Sequence, residues 1–427
     1  MAGSCGSEAA RLREIRIGGN LIPSPGGAVR LLALERRILV LSLAVSLLGG
    51  AISVAFGVCG PFTDVTDAGF CPFVLEIFTL GITTGTTPTT YDPTASVSRL
   101  QMAAFLSRTV DGLLKRGSRR AALDQFWTPQ NPSVLGLTTV GIGPTLLRFD
   151  GADVWASVFS GASVSRVRAN DGKLLATWTG ATNAYGVLVA MGRVFATGLV
   201  NPGRLYRIDP SQAAGAVTTV ASNVGINSTG IAFDGSRIWT ANFGQPAGSG
   251  GSVSIVTPGT TLPWTVMTVT TGFQSPFDAL FDGTNIWVTD NAAGTLLKVD
   301  SNGAILQTVT VSPGPVFAVF DGGNIWVPSS STNPTPSNAV TVVRASSGVV
   351  LATLTGNGLD GASAAAFDGE RILVTNNTGD SVSLWKAGDL TPLGSFSTGS
   401  FTAPIGACSD GLNFWVGLNA GFTLARF

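Results

Sequence analysis

One short pattern recurs along the C-terminal part of the chain and restricts it to an architecture built of like units. It reads FDGADVWAS from Phe149, FDGSRIWTAN from Phe233, FDGTNIWVTD from Phe281, FDGGNIWVPS from Phe320 and FDGERILVTN from Phe367. Weaker copies are AMGRVFATG from Ala190 and SDGLNFWVGL from Ser409. Aligned on the Asp position, the copies fall at 150, 191 (a Met), 234, 282, 321, 368 and 410, at intervals of 41, 43, 48, 39, 47 and 42. A unit of this length cannot bury its apolar face alone and must stack on its neighbours.

Each interval holds four short strands. The first ends in the motif's aromatic residue. Asp-Gly and the next two residues form the turn, and Ile-Trp-Val begins a second strand with alternating faces. Thr295–Val299 exemplifies the third strand and Ile305–Val309 the fourth. Four-stranded sheets at this period are propeller blades, so the spacing predicts a seven-bladed β-propeller over 132–427. The ends fit a closed ring. The last unit stops at Phe427 one strand short, and 134–140 (VLGLTTV) stands alone before the first unit. That stretch is expected to complete the final blade and remove its open edge. Trp155, Trp239, Trp287, Trp326 and Trp415 recur at one strand position, which assigns them to packing between blades rather than to a sugar-stacking ladder. The repeated Asp fits a hairpin turn better than a calcium site.

Composition narrows the function. Charged residues make up 12% of the chain and Gly numbers 55, as in turn-rich β proteins. The chain has no His. That removes the commonest general base, the Ser-His-Asp and Cys-His nucleophile arrangements and the commonest metal ligand. The propeller region has a single Glu, Glu370. Cys5, Cys59, Cys71 and Cys408 fit no zinc spacing. No catalytic residue, metal site or cofactor is therefore expected. From Pro132 onward there are 13 basic and 16 acidic residues, and a mildly acidic body without basic stripes argues against nucleic acid as a partner. Cys59 and Cys71 are either a disulfide formed after export or two free thiols, and spacing does not choose between them.

Residues 1–57 combine a basic extension with a signal peptide or membrane anchor. Ile38 to Val58, ILVLSLAVSLLGGAISVAFGV, carries no charge and follows Arg36 and Arg37. It reads as a secretory signal cleaved after Gly57 or as an uncleaved helix, the chain's one contact with a membrane. Both readings predict export to the cell envelope or beyond. Residues 1–35 are then a cytoplasmic tail or the product of an over-extended start.

Residues 58–112 read as a small helical module. Phe73, Ile77 and Leu80 sit at helical spacing, ended by Gly81. Ser96 and Ser98 offer N-caps for a second helix with Met102, Phe105 and Leu106 on one face. The segment resembles an S-layer homology (SLH) module in Phe62-x-Asp64-Val65, in Gly81-Ile82-x-x-Gly85, in Tyr91-x-Pro93 and in Ser98-Arg99-Leu100-Gln101 leading into Met102-Ala103-x-Phe105-Leu106. The resemblance implies attachment to a cell-wall polymer or peptidoglycan, with Arg99 offering its fork to the anionic polymer. The family's Thr and Glu are Ser98 and Gln101 here, and one copy stands where such modules act as several. The competing role for Arg99 is a local salt bridge. Residues 113–131, with Lys115, Arg116, Arg119 and Arg120, read as a solvated linker.

The repeats resemble the YVTN and NHL propeller families and, more loosely, the virginiamycin B lyase fold. The lyase resemblance implies a catalytic His that this chain lacks, so no catalytic residue carries over. In such propellers, loops between second and third strands and loops linking blades build the binding face. Here the first loop type carries Asn242, Asp290, Asn291, Asn376, Asn377 and Asn419, and the second Tyr185, Pro276, Phe277, Pro315, Phe317 and Pro404. A glycan, peptide or protein would meet these residues. Turn chemistry alone also favours Asn, Asp and Pro at such positions. The expected protein is mainly β: a seven-bladed β-propeller with a small α-helical SLH-like N-terminal module and an N-terminal signal or transmembrane helix. Its expected role is non-catalytic binding or display at the envelope. The alternative is a His-independent lactonase- or lyase-like enzyme, which needs several carboxylates converging at one end of the channel.

Overall fold

The computed structural model describes residues 59–79, 81–117, 136–244, 250–331 and 337–427. The apolar run 38–58, the rest of 1–57 and residues 118–131 of the expected linker lie outside the described residues. Among the described residues no helix is long and apolar enough to cross a membrane. The chain divides into two compact units between Arg108 and Thr109.

In the first unit a disulfide joins Cys59 and Cys71, whose Cα atoms are 5.3 Å apart. It sets the inward face of helix α1 (Cys71–Thr79). Cys71, Val74, Leu75 and Phe78 form the packed stripe, against Phe62 and Tyr91. Phe73, grouped with Ile77 by spacing alone, is exposed because the bridge at Cys71 turns it outward. The Asp64 carboxylate accepts the backbone N–H groups of Tyr91 (2.9 Å) and Asp92 (2.6 Å), tying two loops together. Helix α2 (Arg99–Gly117) opens in a capping box. Gln101 N–H donates to Ser98 Oγ at 3.2 Å, and Ser98 N–H donates to Gln101 Oε1 at 2.8 Å. Residues 113–117 continue this helix, so the expected linker begins later than the sequence indicates. Met102 and Leu106 of α2 are exposed rather than packed, and Arg108 Nη1 donates to the Ile82 carbonyl at 3.0 Å.

The second unit contains seven four-stranded antiparallel sheets. Blades 1 to 6 span 144–179, 184–221, 228–269, 276–310, 319–354 and 362–397. We call the strands A to D from the innermost outward. Blade 7 is composite: strands A (Pro404–Ser409), B (Phe414–Leu418) and C (Thr423–Arg426) are followed outward by strand D (Gly136–Thr139) from the other end of the propeller sequence. The register pairs Gly136 with Arg426 and Thr139 with Thr423. Thr138 Oγ1 donates to the Gly172 carbonyl at 2.6 Å, and Arg426 Nη1 donates to the Asn170 carbonyl at 3.1 Å. The stretch expected at 134–140 thus latches the ring to blade 1 as well as to the last hairpin.

The repeated Asp does two jobs at once. In six blades its Oδ1 accepts the N–H groups two and three residues on, as Asp234 does from Ser236 (2.8 Å) and Arg237 (2.7 Å). Gly235, at φ 96°, makes that turn possible. In five blades Oδ2 accepts the indole N–H of the buried Trp: Asp150 from Trp155, Asp234 from Trp239, Asp282 from Trp287, Asp321 from Trp326 and Asp410 from Trp415, all at 2.7–2.8 Å. Burial raises the Asp234 carboxyl, but the donors from Trp239, Arg237 and Ser236 outweigh it and hold it at about 2. The two exceptions are consistent. Met191 replaces the Asp in blade 2, and there Phe195 replaces the Trp. Leu373 replaces the Trp in blade 6, and there Asp368 takes Arg371 Nε instead, at 2.9 Å.

Hydroxyls on strand B join the blades. Strand A bulges in blades 1–4, 6 and 7. Thr197 and Thr375 each accept a bulge N–H of their own strand A, from Gly186 (2.8 Å) and Ala364 (3.0 Å). Each then donates to the bulge carbonyl of the next blade, Thr229 (2.8 Å) and Ile405 (2.6 Å). Every hydroxyl so placed satisfies backbone groups that the bulge leaves unpaired.

Two outcomes test these devices. Trp239→Phe keeps an aromatic ring but strips Asp234 of its indole donor. It is expected to cost about 1–3 kcal/mol, read by chemical denaturation. Reducing the Cys59–Cys71 bridge removes roughly 2–4 kcal/mol from the small unit, so limited proteolysis in reductant should cleave residues 59–108 first and leave the propeller intact.

Candidate functional site

The up-and-down order of strands gives the propeller two ends. A–B and C–D turns lie at one, and B–C loops and blade-linking loops at the other. Of the 13 cations from Pro132 onward, only Arg204 belongs to the second end. Of the 16 acids, only Asp278, Asp290, Asp360 and Asp380 do. Asp278 and Asp290 are buried. The B–C end is thus almost free of exposed charge.

The residues that the sequence assigned to this end divide by burial. Asn242, Asp290 and Asn376 are fully buried. Asn242 accepts from Ser228 Oγ and donates to Ser252 Oγ and Ser254 Oγ. Asp290 accepts the N–H groups of Gln274 (2.7 Å) and Ser275 (2.9 Å). Asn376 donates to Ser381 and Ser383. These three brace their own blades and present no open surface. Asn291, Asn377 and Asn419 are half-buried. Each donates its side-chain N–H to the carbonyl of a proline in the following blade: Pro315 (3.2 Å), Pro404 (3.5 Å) and Pro144 (3.1 Å). They are stitches between blades.

Tyr185, Phe277 and Phe317 do come together. The Phe317 ring lies 5.8 Å from Tyr185 and 4.9 Å from Phe277. Phe159 and Phe243 extend the cluster, at 6.2 Å from Tyr185 and 5.4 Å from Phe277. Tyr185 belongs to blade 2 and Phe317 leads into blade 5, which are not neighbours, so the rings meet across the channel axis. Desolvation pushes the Tyr185 hydroxyl up to about 12.

Beside this cluster lies Asp278, which the sequence reading passed over. Cross-strand register places it level with Leu146, Gly186, Gly230, Phe317, Ala364 and Gly406 of the other blades. A lone carboxylate among apolar and Gly counterparts was the available signal. Its Oδ2 accepts Ala318 N–H at 3.0 Å, and Oδ1 has no hydrogen-bond partner among the described residues. Gly230 is required next to it, because a Cβ there would collide with that carboxylate. Burial lifts the carboxyl to about 7, against the pull of Arg148. Among the described residues no three Asp, Glu or Cys side chains converge as a metal site.

Exposed apolar residues occupy the rim of the uncharged end around blade 7. Phe401 is 87% exposed, Ile142 55% and Phe422 45%. Asp380 fixes the Phe401 loop by accepting the N–H groups of Phe401 (2.7 Å), Thr402 (2.8 Å) and Ala403 (2.8 Å). Those bonds, led by Ala403, lower its carboxyl below the usual range. Phe401, Ala403 and Phe422 all have positive φ, a costly conformation for residues with a Cβ.

These features define a closed seven-bladed β-propeller with one charged and one nearly uncharged end. No protein-family model matches the chain, and no curated protein matches it. Solved structures do. The chain is similar to virginiamycin B lyase from Staphylococcus aureus, at 14% identity and TM-score 0.54 over 69% of this chain and 99% of that one. It is similar to the WD40 β-propeller domain of Doa1, at 13% identity and TM-score 0.56 over 70% and 97%. It is also similar to Kuenenia stuttgartiensis hydrazine synthase, at 15% and 0.57 over 70% and 99%. Likeness at this level shows the fold alone.

Asp278 gives a pH signature. The folded chain holds its proton to about pH 7, and an unfolded carboxyl releases it near 3.8. Between those values the folded state binds more protons, so this residue's contribution to stability falls as pH rises and levels off above the folded value. The loss is on the order of 4 kcal/mol. Asp278→Asn should therefore gain stability relative to the parent on going from pH 4 to pH 8. Denaturation midpoints of both proteins across that range measure the difference.

Proposed function

We propose that this chain is a non-catalytic binding protein of the cell envelope, exported through its N-terminal apolar run. Its propeller docks a neutral glycan or peptide on the B–C end. One observation carries the reading: that end has little exposed charge and presents the exposed Phe401 and Phe422. Aromatic faces and amide groups without charge suit an uncharged partner better than an ionic one. The absence of His and the burial of Asp278 away from solvent support a non-catalytic role over a lactonase- or lyase-like one.

The small unit would attach the protein to a cell-wall polymer or peptidoglycan in the manner of an SLH module. Arg99 supports this. It is exposed at the start of α2 and forms no ion pair among the described residues. A free guanidinium beside a helix start suits a carboxylate or phosphate of the polymer.

Co-sedimentation of the full chain with cell-wall and neutral-glycan fractions tests both parts. Retention at physiological salt is expected. Phe401→Ser with Phe422→Ser should weaken glycan retention by about tenfold, and salt should scarcely affect it. Arg99→Gln should release the wall fraction only. No retention of the parent protein on either fraction would refute the reading.

A further inference from the structure

The charged end carries a feature that the binding reading does not use. Between blades 4 and 5 lies an open groove of about 630 Å³. Its lining includes Lys298, Arg344, Asn285, Asn324, Ser346 and Asp282. That volume is in the range of small-molecule sites. Comparison with blade 1 shows how the cations of this groove differ from paired ones.

In blade 1 the residue opposite the Trp on strand C is Arg166, and Asp153, two residues before the Trp, pairs with it at 2.6 Å. In blade 4 the same two positions hold Lys298 and Asn285. The cation is present, and Asn285 stands where blade 1 has its acid, as Asn324 and Asn413 do in blades 5 and 7. In blades 1 and 6 the cation that ends strand C pairs with an Asp three residues on: Arg168 with Asp171 at 3.0 Å, and Lys386 with Asp389 at 3.3 Å. In blade 5 the equivalent pair is Arg344 and Ser347. Again the cation remains without its acid. Arg426 in blade 7, opposite Trp415 as Lys298 is opposite Trp287, likewise has an Asn (Asn413) in place of the acid, but its guanidinium is spent on carbonyls of blade 1.

Lys298 and Arg344 line the same groove, and neither has an ion pair among the described residues. Lys298 is steadied over the Trp287 ring, 5.3 Å from its centroid. The lining carboxylate, Asp282, is committed to Thr284 N–H, Asn285 N–H and the Trp287 indole. The groove therefore holds two cations without an ion pair among the described residues and one carboxylate that already accepts three hydrogen bonds, a net charge of +1, with amide and hydroxyl groups around them.

We infer that this groove is a binding site for an oxyanion group, a carboxylate or a phosphate carried on a small ligand such as an acidic sugar. The Lys supplies a point charge, and the Arg a planar fork that fits two oxygens. The inference is independent of the neutral-ligand reading, since it concerns the opposite end and the opposite chemistry.

Titration calorimetry on the full chain with glucose 1-phosphate, glucuronate and glucose tests it. Glucose 1-phosphate reports a phosphate ligand and glucuronate a carboxylate ligand. At least one of the two should bind at low salt, more weakly as salt rises, while glucose gives no heat. Lys298→Gln and Arg344→Gln should each weaken binding by about tenfold. The decisive variant introduces the acids that blade 1 has at the two positions. Asn285→Asp with Ser347→Asp should abolish binding while the melting temperature is kept or raised, which separates loss of the site from loss of the fold. No binding of either anion by the parent, or unchanged affinity in the acid-restored variant, overturns the inference. Neither outcome bears on retention of neutral glycan at the other end.

Discussion

The fold depends on one carboxylate used twice. A hairpin turn and a core Trp are ordinary features separately, and here the same Asp side chain makes both. One oxygen fixes the A–B turn, and the other reaches five residues on to the indole N–H of a residue that is wholly buried. A buried Trp needs a partner for its N–H, and the carboxylate needs donors once it is partly desolvated. Each meets the other's requirement. The coupling also fixes where strand B starts relative to strand A, which sets the register of the sheet that follows. Blades 2 and 6 bear this out, because the loss of one member accompanies loss or reassignment of the other.

Much of the architecture was legible because the repeat has a fixed period and its ends are complementary. The missing fourth strand after Phe427 and the isolated stretch near Leu137 could be matched without coordinates, since closure follows from counting strands. The Trp and Asp roles were also read correctly, but as two separate facts. The link between them was hidden because it depends on how a side chain folds back across a turn. In the small unit the error had a different origin. Spacing alone gives Phe73 and Ile77 a common face, but a covalent bridge at Cys71 outranks the apolar pattern and rotates the helix.

The candidate site was harder to read. Asn242, Asp290 and Asn376 follow the same sequence rule as Asn291, Asn377 and Asn419, yet one set points into its own blade and the other reaches to the next. The rule reports that a loop begins; the first set lies three residues past the Trp position and the second four, and alternation along the strand sends them to different sides. Asp278 was missed because a single Asp among many is unremarkable until register shows what its counterparts are. The segregation of charge was hidden for a similar reason. Each Lys, Arg and Asp was explicable by its own turn, and only the up-and-down order of strands shows that nearly all of those turns share one end.

A repeat protein therefore reveals more through its departures than through its consensus. Positions kept in every blade are explained by stacking, which every blade must do. Positions changed in one blade are released from that requirement. Asp278 breaks a series of apolar and Gly residues on the inner strands and costs the fold a buried carboxyl. Phe401 and Ala403 hold positive φ where the loop into the adjoining blade has Gly141 and Gly143. Lys298 and Arg344 each lack the acid that pairs with their counterparts in blade 1, and the two fall at one groove. Two such cations in adjoining blades, facing one cavity, place positive charge where a ligand has room to meet it.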